Sequence, residues 1–351
     1  MLGKVAIVVA SALACVLGSC TDQADGGGAG SRQQIKAVGS STVFPFTTIV
    51  AEQFVEKTPG VKSPVIEATG TGGGMKLFCG GIGADHPDIE DASRRMKRTE
   101  YATCKAHGVV DILEVPIGLD GVAFAEAKNG PDLHLTVADL FKAMAAAPDG
   151  KPNAASTWHD VNPALPAVPI QVYGPPATSG TRDALAELIL ARGCEAVMTA
   201  AIALRERNPD DFARKCTRIR EDGAYIDAGE NDNLIVQKLQ SNANAIGIFG
   251  YSYLEENQDR LNGIAIDGVA PNYATISQNR YPGSRPLYLY VKSAHLGAIR
   301  GLREFLSLYA ASWQPGGPLV AKGLIASLPE TRAKAAAVVR GETPLDPNTL
   351  P

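Results

Sequence analysis

Four stretches of the chain set hydroxyl groups, glycine and arginine side by side in a way that suits capture of an anion. They are GSSTVFPF (Gly39 to Phe46), ATGTGGGMK (Ala68 to Lys76), PPATSGTRDAL (Pro175 to Leu185) and the basic segment DIEDASRRMKRTE (Asp88 to Glu100). The first three each lie between a strand-like run and a helix-like run. A helix N-terminus leaves backbone N–H groups unpaired and carries partial positive charge, so an oxyanion held there is stabilised. Glycine lets the backbone come close, and a serine or threonine hydroxyl adds a donor with little bulk. Arg182, directly after Ser179-Gly180-Thr181, would add a forked, charge-assisted pair of bonds. Singly, each turn also reads as an ordinary N-cap, a position serine and threonine fill routinely. The repetition is what points to one shared oxyanion. In the fourth segment Ser93 and Arg94 offer one more hydroxyl and one more guanidinium, while Arg94, Arg95, Lys97 and Arg98 together read as a solvated charge run, because all four cannot face one site.

A serine nucleophile is the competing chemistry. The hydrolase elbow requires G-x-S-x-G, and Ser179 is preceded by Ala177-Thr178; no S-x-x-K signature surrounds it. The five histidines, His86, His107, His134, His159 and His295, show no metal-like spacing and sit in no motif typical of a general base. The acidic runs DHPDIED and DAGENDN do not fit the calcium-loop spacing. The expectation is a cradle: no catalytic residue, no metal and no cofactor.

Positioning these groups falls to alternating strand-like and helical runs. Ile35 to Val38, Ser63 to Thr69, Val115 to Ala127 and Pro169 to Gly174 read as strands. Pro45 to Lys57, Leu135 to Ala145 and Thr181 to Gly193 read as helices, the last closed by Gly193 as a C′ glycine. NAIGIFGYSYL and RPLYLYVK are rich in aromatic and branched residues, and LGAIRGLREFLSLYA (Leu296 to Ala310) reads as an amphipathic helix. Such alternation predicts an α/β fold with mainly parallel sheets.

At 351 residues, 45% hydrophobic and 20% charged, the chain is long enough for two domains. A formal net charge of −4 argues against a nucleic-acid partner and makes any anion site a local arrangement of donors. The first twenty residues read as a targeting segment: Lys4, an apolar run from Val5 to Leu17 too short to span a bilayer, then Leu17-Gly18-Ser19-Cys20. That ending resembles a bacterial lipoprotein signal with Cys20 as the lipid-bearing residue; an ordinary cleaved signal peptide is the alternative. Residues 21–34 form a polar, glycine-rich tether. With Cys15 removed and Cys20 lipidated, Cys79, Cys104, Cys194 and Cys216 remain, an even set that predicts two disulfides with three connectivities open. Pairing neighbours, Cys79 with Cys104 and Cys194 with Cys216, keeps each bridge within one half of the chain and is favoured.

Taken in order, GSSTVFPF, GTGGGMKLFC, DASRRMK, SGTRDA, NAIGIFGYSYLEEN and RPLYLYV resemble the extracytoplasmic phosphate-binding protein of phosphate-specific ABC transporters, from about Ile35 to the C-terminal helices. The resemblance implies a two-lobed, hinged periplasmic-binding-protein fold (type II, Venus-flytrap) that closes on one orthophosphate. Lobe one would comprise residues 35–117 plus 262–351, and lobe two residues 118–261. By similarity, lobe one would hold phosphate through Ser41, Thr42, the Val43 amide, Thr71, Ser93 and Arg94, and lobe two through Ser179, Gly180, Thr181 and Arg182. Some relatives carry an aspartate that accepts the ligand's proton; this chain has Ser93 there, which leaves nearby Asp91 for that role or leaves it unfilled. Pro175 and Pro176 stand where some relatives have an arginine, and Asp183 would orient Arg182 or favour the helix N-terminus. The implied partners are inorganic phosphate, the permease subunits of an ABC transporter, and a membrane reached through Cys20. The implied state is a monomer in the periplasm or on the surface of a bacterium. Another oxyanion or a phosphorylated solute on the same fold is the nearest alternative, and a secreted Ser/Thr phosphatase or hydrolase a more distant one.

Overall fold

Branched and aromatic residues in short runs form strands wherever both faces can be covered. The computed structural model describes residues 32–177, 179–229 and 232–351; the targeting segment and Cys20 lie outside the described residues. Eleven strands occur among them: β1 (Lys36–Gly39), β2 (Val65–Ala68), β3 (Ile89–Ala92), β4 (Ile112–Ala127), β5 (His134–Leu135), β6 (Val172–Gly174), β7 (Tyr225–Asp227), β8 (Ile246–Gly250), β9 (Leu261–Gly263), β10 (Ala265–Ile266) and β11 (Ser284–Lys292). A sheet runs in the order β2-β1-β3-β11-β4-β8-β6-β7, with β9 added beside β4 and β5 paired to β10 alone.

The expected parallel pairing holds at both ends, where β1 joins β2 and β3, and β6 joins β7 and β8. It fails in the middle. β11 is antiparallel to β3 and β4, and β4 is antiparallel to β8. The reason is β4 itself, a 16-residue strand. Its first part, Ile112 to Gly121, pairs with β11, and its second part, Val122 to Glu126, pairs with β8. One strand therefore runs through both halves of the molecule. The register shifts between Leu287 and Tyr288, so that Ile117, beside Pro116, is left over in a bulge. Proline has no N–H to give the ladder, which suits that place.

Two main cores flank the crossing. One is built from Val43, Phe46, Val50 and Phe54 on or beside helix α1 (Phe44–Lys57), the first part of β4, β11, and Phe305 and Tyr309 of the helix Leu302–Ser312. Phe54 and Phe305 meet edge to face at 5.6 Å between ring centroids. The other joins the second part of β4 to β6 and β8, and it includes Leu261, Ile264, Ile266, Ile276 and Tyr281. Residues just after 262 thus pack with this second core, and the chain rejoins the first at β11. A smaller cluster gathers around Phe78, Met96 and Tyr290 beside helices α2 (Thr71–Phe78) and α3 (Arg98–Ala106).

Two helix limits differ from expectation. Gly193 does not end its helix but lies inside Ala191–Val197. A Cβ at 193 would stand 2.2 Å from the Val137 carbonyl oxygen, so the glycine is there to let helix α4 (Val137–Met144) approach. The helix expected from Leu296 begins at Leu302, because Gly301 takes φ +80°, a left-handed conformation that interrupts α-helix.

The structure joins Cys79 to Cys104 and Cys194 to Cys216, the neighbour connectivity, over sequence separations of 25 and 22. Closing a loop of that size restricts the unfolded chain by about 3 kcal/mol. The double substitution Cys194→Ala with Cys216→Ala is expected to destabilise the fold by about that amount in a urea titration. An unchanged midpoint would show that the second bridge adds nothing to stability.

Candidate functional site

The GSST turn is held by the backbone of β1 and β3. The Ser40 N–H donates to the Asp91 carbonyl at 2.7 Å, and the Phe44 N–H donates to the Ser40 carbonyl at 3.0 Å. α1 then starts with Pro45 in its first turn and with no side-chain cap at Val43. Its leading end is left to Ser41, Thr42 and whatever sits before them. Val43 itself is fully buried.

The SGT turn faces it. Ser179 is the N-cap, its Oγ accepting from the Thr181 N–H at 3.3 Å. The helix runs from Gly180 to Ala184, opens into a π-helical stretch from Leu185 to Leu190 and continues to Val197. A Cβ on Gly180 would stand 3.3 Å from the Thr42 Cα, a tight contact, so the two turns come close together. Where they meet lies a cleft of about 550 Å³ lined by Ser41, Thr42, Asp120, Ser179, Gly180 and Thr181, together with Tyr253 and Lys322. Hydroxyls from both sides, with two helix N-termini behind them, converge on one volume.

Carboxylates bridge the same gap. The Ser41 Oγ donates to the Asp183 carboxylate, so Asp183 spans the cleft instead of orienting Arg182. Arg285, at the start of β11, donates from Nη2 to Thr42 Oγ1 at 2.7 Å, from Nε to Asp120 at 3.3 Å, and from Nη1 to Glu187. Asp120 is the residue directly opposite Arg285 in the β4–β11 register. Burial raises the Asp120 pKa above its ordinary value, and the Arg285 guanidinium opposes that rise.

The remaining expected site residues form a second group. The Thr71 and Ser93 hydroxyls are hydrogen-bonded at 3.1 Å, and the Ser93 N–H also donates to Thr71 Oγ1 at 3.1 Å. Both are buried at the start of α2. Arg94 is taken by Glu100 in a two-pronged pair at 2.6 and 2.9 Å. Arg182 lies 4.5 Å above the Tyr225 ring and donates to the Pro175 carbonyl at 3.3 Å. None of these four lines the cleft between the facing turns. The cation that does reach the Thr42 hydroxyl is Arg285. The sequence marks Arg285 and Asp120 only as charges within largely apolar strands, which β4 also holds in Glu114 and Glu126 and β11 in Lys292.

Asp91 and Glu90 are neighbours on β3 and point to opposite faces. Asp91 is 1% exposed, sits near Thr47 and Tyr309 behind α1, and does not line the cleft. Its Oδ1 has no hydrogen-bond partner among the described residues. Glu90 lies under the glycine turns: a Cβ on Gly74 would stand 2.1 Å from its Oε2, and one on Gly39 would stand 2.9 Å from its Oε1. Burial pushes the Asp91 carboxyl up to about 7 and that of Glu90 up to about 11, where the adjacent Asp91 adds to the rise. At neutral pH this keeps Glu90 uncharged beneath the two glycine turns.

A family model of the PBP superfamily domain matches residues 25–312. Protein SphX of Synechococcus elongatus is 31% identical over 79% of this chain and 73% of its own length. A phosphate-binding protein PstS of Staphylococcus saprophyticus is 28% identical over 83% of this chain and 80% of its own. Among solved structures, a possible phosphate binding protein from Planctomyces limnophilus superposes with a TM-score of 0.70 at 30% identity, covering 88% of this chain and 98% of that one.

Asp91 gives a test of the burial on β3. An unfolded aspartate loses its proton near pH ~4, whereas folded Asp91 keeps it up to about 7. Between those values the folded state holds the extra proton, so stability falls as pH rises through the window and is level above it. The pH-dependent loss of stability from about 4 to 7 is expected to shrink in Asp91→Asn. Urea melts at pH 4.5 and 7 measure it; an equal loss in both proteins would mean that Asp91 is ionised throughout.

Proposed function

The chain belongs to the PBP superfamily, and from that footing we propose that it binds inorganic phosphate in the cleft between its two cores and delivers it to an ABC-type membrane permease. The observation that carries the reading is the meeting of the Ser41-Thr42 and Ser179-Gly180-Thr181 turns on one volume, each at the start of a helix. Uncapped amides, hydroxyls and helix ends are what a small oxyanion needs in place of its hydration shell. The names of the PstS relative and of the Planctomyces limnophilus structure support phosphate as the anion.

No bond of the ligand is made or broken in this reading, and the protein is a receptor rather than an enzyme. Ser41, Thr42, the Val43 amide, Ser179, Gly180 and Thr181 contact the anion. Thr71 and Ser93 hold the neighbouring turn. Arg94 and Arg182 contribute positive charge from behind their present partners. Asp91, the residue expected to accept the ligand's proton, does not line the cleft; Asp120, not considered from the sequence, does, and it takes that role in this reading. Lobe one runs to about residue 117 and resumes at β11, and the two crossing strands form the hinge. Export, lipidation of Cys20, a monomeric state and a place outside the cytoplasm complete the proposal. The volume of about 550 Å³, with Tyr253 and Lys322 also in its lining, favours, as second reading, a phosphate carried on a small organic group.

Calorimetric titration with phosphate, glycerol phosphate and sulfate tests these readings. Phosphate is expected to bind at about one equivalent and sulfate to give no heat; stronger binding of glycerol phosphate would select the second reading. Thr181→Val removes one hydrogen bond to a charged ligand and is expected to weaken phosphate binding about tenfold to a hundredfold. Undiminished affinity in that variant would remove the SGT turn from the site.

A further inference from the structure

Arg285 has two kinds of partner. Its side chain is 5% exposed, and Asp120, its cross-strand neighbour, is 17% exposed, so this pair is fixed where β4 and β11 cross. Glu187 is different. It is 60% exposed, and it comes from the second core, in the π-helical stretch behind the SGT turn. A buried guanidinium left short of negative charge is costly, whereas a carboxylate that is mostly in water loses little by letting go. Thr42 adds a direction. Its Oγ1 already accepts from Arg285 Nη2, so its single O–H remains to donate to something else in the cleft. Four residues before Glu187, Asp183 takes the Ser41 hydroxyl in the same manner. Two carboxylates of one helix thus occupy donors presented by the opposite side.

Resting on the phosphate-binding reading above, we propose that Glu187 competes with the anion: it pairs with Arg285 Nη1 beside the cleft, next to the Thr42 hydroxyl that lines it, and the arriving ligand takes over that donor. Arg285 is then a ligand-binding residue, oriented by Asp120 and kept occupied by Glu187. The two partners of this ion pair act on affinity in opposite directions, which a purely structural salt bridge would not do.

The test is phosphate titration of the full chain and of three variants. Glu187→Gln removes the competitor and is expected to tighten binding about two- to fivefold, the range set by an exposed charge pair. Arg285→Gln is expected to weaken it tenfold or more, and the double variant to match Arg285→Gln alone, because no competitor matters once the arginine is gone. Weaker or unchanged binding in Glu187→Gln overturns the proposal. If Arg285→Gln does not fold, the sign of the Glu187→Gln effect still decides, since that side chain is mostly in solvent. A wild-type chain that binds no phosphate overturns the preceding reading and this one with it; wild-type binding with an untightened Glu187→Gln overturns this one alone.

Discussion

Two helices aim their positive ends at the same gap, and the rest of the molecule is arranged around that fact. Each N-terminus carries about half an elementary charge of positive potential. Brought together as closely as the Gly180–Thr42 approach brings them, they repel unless negative charge lies between or beside them. Asp183, Glu187 and Asp120 supply negative charge beside the gap, the same need that a bound oxyanion would answer. A chain with net charge −4 can thus present a site for anions without a basic surface.

β4 ties the two sides of this geometry together. Because a single strand passes through both cores, the halves share one continuous backbone line. The bulge at Ile117 and the glycines at 118 and 121 lie along that line; a Cβ at Gly118 would stand 2.7 Å from Leu324 and one at Gly121 2.9 Å from Ile325. Arg285 and Asp120 sit at the same crossing.

What could be read from residue order follows from the range of the forces involved. α1, α2 and the SGT helix were legible because capping residues, glycine and apolar periodicity act within a few positions. The hydroxyl pairs of the facing turns were legible for the same reason. The partners of the arginines were not. Whether Arg182 meets a ligand or lies over Tyr225 depends on a residue 43 positions further on, and Arg285 meets Thr42 across 243 positions. Gly193 was misread because a helix-ending glycine and a helix-packing glycine look alike until the neighbouring helix is in place. The antiparallel centre of the sheet was hidden likewise: alternation of strands and helices reports the crossovers at the two ends, not the long strand that joins them.

The two disulfides each close on residues of one side of the crossing, Cys79 with Cys104 beside Phe78 and Cys194 with Cys216 within the second core. Each bridge therefore joins residues 25 or fewer positions apart and involves nothing from the other core. Covalent closure is confined to the parts: neither bridge ties one core to the other, so how the two sit together is left to β4 and to non-covalent contacts.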